Sequence, residues 1–184
     1  MAKFADSLSP EIQQFIRNQK IFFTASAASE GRVNLSPKGM DTMRVLSDKE
    51  LAYLDFTGSG NETAAHLRAA NRVTFMWCSF DEKPLILRAY CTGRAIRSRD
   101  ADWAKYAAHF QMKAGARQII IVQVKSVQTS CGFAVPRMQF IQHRPMLTDW
   151  CEKRGNDGIQ KYWEEKNQTS IDGLPTGLLA EVEK

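Results

Sequence analysis

Between residues 20 and 129 the chain passes through six or seven β-prone runs and meets only two stretches of helical pattern, at 61–70 and 100–110. That ordering constrains the fold more than any other feature of the sequence. A doubly wound sheet needs a helix between nearly every pair of strands, and this chain does not supply them. Strands joined by short turns pair antiparallel. The pattern therefore predicts a mainly β, α+β architecture: a small Greek-key or split β-barrel, with a helix inserted between two strands and helices at both ends.

The elements can be placed one by one. Ser9-Pro10-Glu11 reads as an N-cap followed by proline at the first helical position, opening a helix to about Asn18 with Ile12, Phe15 and Ile16 on one face. KIFFTASAA (20–28) is the first strand, and Ser29-Glu30-Gly31 is a tight turn into RVNLS (32–36). Pro37-Lys38-Gly39 interrupts this second strand. Proline cannot donate to a ladder and glycine bends freely, so a bulge, bend or sheet edge is expected there. Strands follow at 42–46 and 50–57, then a helix at 61–70. RVTFMWCSF (72–80) and LILRAYCTGRAIR (85–97) are strands, with Gly93 as an expected bulge. A helix at 100–110 places Trp103, Tyr106, Ala107 and Phe110 on one face, and 117–129 is the last strand. Beyond Cys131 the chain becomes irregular, then helical over 149–167 with a break at 155–158. One domain, 1–184, is expected: an N-terminal helix (1–19), a barrel core (20–131) and a helical C-terminal extension (132–184).

Composition and motifs exclude several classes. With 43% apolar and 24% charged residues the chain reads as an ordinary globular protein. No apolar run approaches the roughly 20 residues of a membrane-spanning helix. The first residues lack the basic-then-apolar layout of a secretory signal, so a cytoplasmic location is expected. The N-x-[ST] triplets at Asn34, Asn61 and Asn167 are then chance matches. Cys78, Cys91, Cys131 and Cys151 form no C-x-x-C pair, which argues against a zinc site or disulfide scaffold; Cys78 and Cys91 read as small hydrophobes within strands. His66, His109 and His143 fall in separate elements with no ligand partner at i+3 or i+4, so no metal site is expected. Ser59 lies in T-G-S-G-N, which is not the G-x-S-x-G elbow of serine hydrolases. Walker A and G-x-G-x-x-G patterns are absent. The net charge of +5 concentrates in 84–128, where eight Lys/Arg face two acids. That patch is either a solvated face or an attractor for a phosphate-bearing ligand. No interleaved aromatic-basic motif points to nucleic acid.

What remains is DFTGSGNETAAHL (55–67), where a strand stops and a helix begins. It reads either as an N-capped connection, with Asn61 as cap, or as an anion cradle. In the second reading the amides of 57–61, Thr63 and the helix dipole receive a phosphate. The loop itself carries only Glu62 as a charged residue, so the cation must come from elsewhere; Lys38 and Arg44 are the local candidates.

The order FFTASAASEGRVNLSPKG, LAYLDFTGSGNETAAHL, RVTFMWCSF, ILRAYCTGRA resembles the pyridoxamine 5'-phosphate oxidase family of FMN-binding split barrels over about residues 12–130. VNLSPKG (33–39), DFTGSGNET (55–63), SCGFAVP (130–136) and KNQTSIDGLP (166–175) resemble one branch of that family, distinct from the true oxidase. The resemblance implies a homodimer with FMN at the subunit interface. Ser36, Pro37, Lys38 and Gly39 would run along the isoalloxazine and ribityl chain. Gly60, Asn61, Glu62 and Thr63 would form the phosphate loop, with His66 one turn inside the helix. Trp77 and Cys78 would approach from the same or the partner subunit. Where the true oxidase carries an arginine and a lysine in its second strand, this chain has Ser36 and Asp41; its Ser-Arg-Lys phosphate loop is Glu62, Thr63 and Ala64 here. Either Lys38, Arg44, Arg88 or Arg137 replaces those cations, or FMN binds weakly, or another ligand is used. The resemblance thus implies a flavin-dependent oxidoreductase acting on a small molecule other than pyridoxamine phosphate. The alternative is a non-catalytic protein that binds or senses a flavin or a haem-like cofactor.

Overall fold

A computed structural model describes residues 2–179; the expectations for Met1 and for 180–184 lie outside the described residues. Its elements in chain order are β1 (Lys3–Ala5), α1 (Pro10–Asn18), β2 (Phe22–Ser26), β3 (Asn34–Lys38), β4 (Met43–Val45), β5 (Glu50–Phe56), α2 (Glu62–Ala70), β6 (Val73–Cys78), β7 (Ile86–Ile96), α3 (Trp103–Ala107), β8 (Ala116–Ser130) and α4 (Met146–Lys166). All pairings between strands are antiparallel, in the order β3-β2-β6-β7-β8-β5-β4.

Connectivity forces this sheet to curl. β3 and β4 lie at its two ends, yet only residues 39–42 join them. Laid flat, six inter-strand gaps of about 4.8 Å would separate those edges by roughly 29 Å. Five Cα steps reach at most about 18 Å. The sheet closes on itself far enough for the link to span, giving the split barrel that the strand order predicts.

The interior is aromatic. Phe22, Tyr53, Phe75 and Trp77 pack with ring centroids 5.6–6.1 Å apart, mostly edge to face. Leu51, Leu87, Ile120 and Val122 join them. α1 closes the base with Ile12, Phe15 and Ile16, and Ser9 Oγ accepts the Ile12 amide as the expected N-cap. α3 covers the outer face of β5 and β8, where Trp103, Tyr106, Ala107 and Phe110 meet Ala52, Leu54, Ile119 and Ile121. With both faces covered, β5 and β8 read as continuous apolar runs rather than alternating ones.

Several expectations change. The N-terminal residues add a strand, β1, that pairs with the distal half of β8. The third helix is shorter, Trp103–Ala107. The bulge expected at Gly93 is found instead on the neighbouring strand: Tyr90 pairs with Ser126 and Cys91 with Val124, which leaves Lys125 of β8 as the extra residue. Gly93 has another cause: a Cβ there would stand 2.2 Å from the Ile121 carbonyl oxygen, so the neighbouring backbone excludes a side chain. Asn61 precedes α2 but makes no capping bond; its side chain turns to Gln118 instead. The Pro37 position resolves as an edge, since β3 is the terminal strand of the sheet. α4 begins earlier than expected, at Met146, and consists of two helical stretches meeting at Gly155, whose φ of 67° breaks the helix inside the anticipated 155–158 segment.

Candidate functional site

A cleft of about 890 Å³ opens where three parts of the chain converge. One wall is the inward face of β3. Asn34, Ser36 and Lys38 are half-buried at alternate positions, while Leu35 and Pro37 between them are exposed but still border the cleft. The floor is the end of β5 and the loop 57–61. The third side comes from the C-terminal extension through Leu147, Glu165, Lys166, Thr169, Ser170 and Ile171.

The loop and the first turn of α2 present unused donors. Among the described residues, the amides of Ser59 to Thr63 meet no acceptor, and Asn61 Nδ2 is buried without a partner. The failure of Asn61 to cap the helix leaves the positive end of the α2 dipole open toward the cleft. Thr63 is buried beside it, and its Oγ1 accepts a hydrogen bond from Asn34 Nδ2 at 3.3 Å. Glu62 folds back over Gly60 and accepts the Ile171 amide at 3.1 Å, which ties the loop to the C-terminal extension.

Charge in the cleft is organised around Asp55, which is buried. Its Oδ1 accepts from Lys38 Nζ at 3.0 Å and its Oδ2 from Arg117 Nε and Gln118 Nε2, each at 2.8 Å. Burial alone would raise its pKa. The Arg117 and Lys38 charges, with hydrogen bonds from Arg117 and Gln118, outweigh that and hold the carboxyl well below the usual carboxylate range. Two cations against one anion leave one net positive charge. Arg117 extends it toward the loop, with Nη1 donating to the Gly60 carbonyl and to Asn167 Oδ1, both at 2.9 Å.

Of the twelve residues singled out from the sequence, Ser36, Pro37, Lys38, Gly39, Gly60, Asn61, Glu62 and Thr63 line this one cleft. Arg44, His66, Trp77 and Cys78 do not. Arg44 donates to Asp41 and to the carbonyls of Met43 and His109, and stacks over Phe110. Trp77 is in the barrel core. Cys78 is buried, and burial raises its thiol pKa. His66 is buried behind the loop and shares a hydrogen bond with Ser26 Oγ at 3.0 Å. Arg88 and Arg137 also stand apart, near Ser130 and Glu82 respectively.

The sequence reading missed Arg117, Asp55, Gln118 and Asn167. Asp55 and Asn167 lie inside the quoted DFTGSGNET and KNQTSIDGLP segments, where a buried role was not distinguishable from a surface one. Arg117 was visible only as one member of the basic patch.

The fold defines a split β-barrel with a polar cleft at the edge strand. The family model described as pyridoxamine 5'-phosphate oxidase matches residues 8–131. The pyridoxamine 5'-phosphate oxidase family protein ustO of Aspergillus flavus is 39% identical over 193 residues, which covers 95% of this chain and 78% of that one. The chain therefore belongs to the pyridoxamine 5'-phosphate oxidase family. Among solved structures, a histidine-to-alanine variant of HupZ from Group A Streptococcus matches with a TM-score of 0.53 at 19% identity, covering 67% of this chain and 99% of that one. A candidate pyridoxamine 5'-phosphate oxidase from Lactobacillus delbrueckii matches with a TM-score of 0.54 at 18% identity, covering 67% and 94%. At such identities the likeness speaks for the fold alone. No helix among the described residues is long and apolar enough to cross a membrane.

Proposed function

We propose that the cleft binds FMN and that the protein is a flavin-dependent oxidoreductase acting on a small molecule, as a homodimer. The observation that carries this reading is the convergence of the β3 face with the uncapped start of α2, beside Lys38 and Arg117, in a chain of this family. The donor set fits the cofactor. Open amides, a buried hydroxyl and a net positive charge suit a phosphate, and the half-buried strand face suits a ring system with a polar edge.

A bound flavin supplies the hydride or electron chemistry. The chain's part is binding and orientation. The amides of Gly60 to Thr63 and the Thr63 hydroxyl would hold the phosphate, and Ser36 to Gly39 would line the site of the ring and ribityl chain. Asp55 fixes Lys38 and Arg117 so that their positive charge is in place before the ligand arrives, which lowers the cost of ordering them on binding. Asp55 is held in its ionised form by the two cations.

The test is direct. Purified protein is expected to be yellow or to quench the fluorescence of added FMN at a stoichiometry of one per chain. The bound flavin should be bleached by NAD(P)H or dithionite and recover in air. A protein that leaves FMN fluorescence untouched sinks the reading. Flavin that binds but accepts electrons from no nicotinamide donor leaves the binding assignment standing and favours a non-catalytic flavin carrier.

A further inference from the structure

We infer that Asn167, at the C-terminal end of α4, is the positioning residue for the phosphate loop and its cation. It acts from outside the 8–131 stretch that carries the family match. The inference rests on the flavin reading and identifies what sets the preference for a phosphorylated flavin.

Asn167 is fully buried and every polar group it has is used. Its Oδ1 accepts from Arg117 Nη1 at 2.9 Å, and its Nδ2 donates to the Gly58 carbonyl at 3.0 Å. Its main-chain oxygen accepts from Thr176 Oγ1 at 2.7 Å, and its amide donates to the Trp163 carbonyl at 3.0 Å. One turn earlier, Trp163 Nε1 donates to Thr57 Oγ1 at 2.8 Å. The end of α4 thus grips the loop at Thr57 and Gly58, and reaches Gly60 through Arg117.

The chemistry of the position asks for a short neutral amide. One neighbour is a guanidinium that needs an acceptor; the other is a carbonyl that needs a donor. A carboxylate would satisfy the first and repel the second. It would also cancel the one net positive charge that Lys38 and Arg117 retain over Asp55. An alanine would free both neighbours and leave the charge intact.

Riboflavin isolates the effect, because it presents the same ring and ribityl chain without the phosphate. Dissociation constants for FMN and riboflavin are measured by fluorescence quenching for the wild type, Asn167→Asp and Asn167→Ala. The wild type is expected to prefer FMN. Asn167→Asp should reduce that preference by about tenfold or more, since charge-assisted contacts are lost, while riboflavin affinity changes less than about twofold. Asn167→Ala should reduce it less. If the two affinities fall in parallel, Asn167 only supports the fold and the inference is overturned. An unchanged ratio in Asn167→Ala overturns it equally, and serves as the deciding result should Asn167→Asp not fold. A wild type that binds riboflavin as tightly as FMN overturns the inference and leaves flavin binding standing. A wild type that binds neither overturns the flavin reading itself, and this inference with it.

Discussion

The Asp55 carboxylate sits where burial alone would protonate it, and two cations keep it charged. Its folded pKa lies below the roughly 3.9 of an unfolded aspartate. The unfolded chain therefore binds the proton more readily, and the stability Asp55 contributes is fully present above about pH 4 and drains away as pH falls below it. Urea midpoints measured from pH 6 down to pH 3 should fall over the acid end of that range, and a flat profile would contradict the ion-pair geometry. Asp55→Asn leaves Lys38 and Arg117 without a counter-charge. It should cost about 3 kcal/mol at neutral pH and flatten the acid slope. At this scale the sequence was partly legible. Ser36 to Gly39 and Gly60 to Thr63 were singled out because each set is a contiguous motif carrying the family resemblance, and both sets line the cleft. Arg117 and Asn167 were not, because they meet the loop from 57 and 109 positions away (Gly60 and Gly58) and no local pattern marks such a contact. Trp77 could have been assigned to the core by parity: Val73, Phe75 and Trp77 share one face of β6, and that face is buried.

At the level of elements, β-prone composition and turn chemistry predicted every strand but β1. What parity could not say is that β7 and β8 approach so closely that Gly93 admits no side chain. Its absent Cβ faces the Ile121 carbonyl at 2.2 Å and Val122 Cγ1 at 2.7 Å, and both strands are held in register on either side. Gly93→Ala should therefore destabilise by about 2–3 kcal/mol, through displaced backbone rather than lost helix or strand propensity. Chemical denaturation of the variant measures this directly. A loss under about 0.5 kcal/mol, the usual scale of an innocuous surface change, would show that the strands can part without penalty. The missed strand β1 has a related explanation. Lys3–Ala5 is too short to show a period, and its pairing with Val127–Thr129 lies more than 120 residues away in the chain.

For the whole molecule, the distribution of exposed apolar side chains argues for a second copy of the chain. Residues 131–145 form neither helix nor strand, yet Phe133, Met138, Phe140 and Ile141 are all exposed along them, Ile141 at 87%. On the outward side of β3 lies Leu35, with Val33 just before that strand, 65% and 73% exposed. The two regions are linked at the cleft mouth, where the Met40 amide donates to His143 Nδ1 at 3.3 Å. Exposed apolar side chains gathered in two neighbouring regions are a common mark of a protein–protein contact surface. An isologous interface would cover the same surface on both copies at once. Light scattering coupled to size exclusion should therefore report about twice the 20.8 kDa of one chain. Ile141→Glu, which replaces the most exposed of these apolar side chains with a charge and is not itself a cleft-lining residue, should shift that equilibrium toward monomer. If the wild type elutes as a monomer at tens of micromolar, the apolar surface has another purpose and the FMN site must be complete within one chain. If Ile141→Glu is monomeric and loses FMN together with its partner, the cleft takes part of its lining from the second copy.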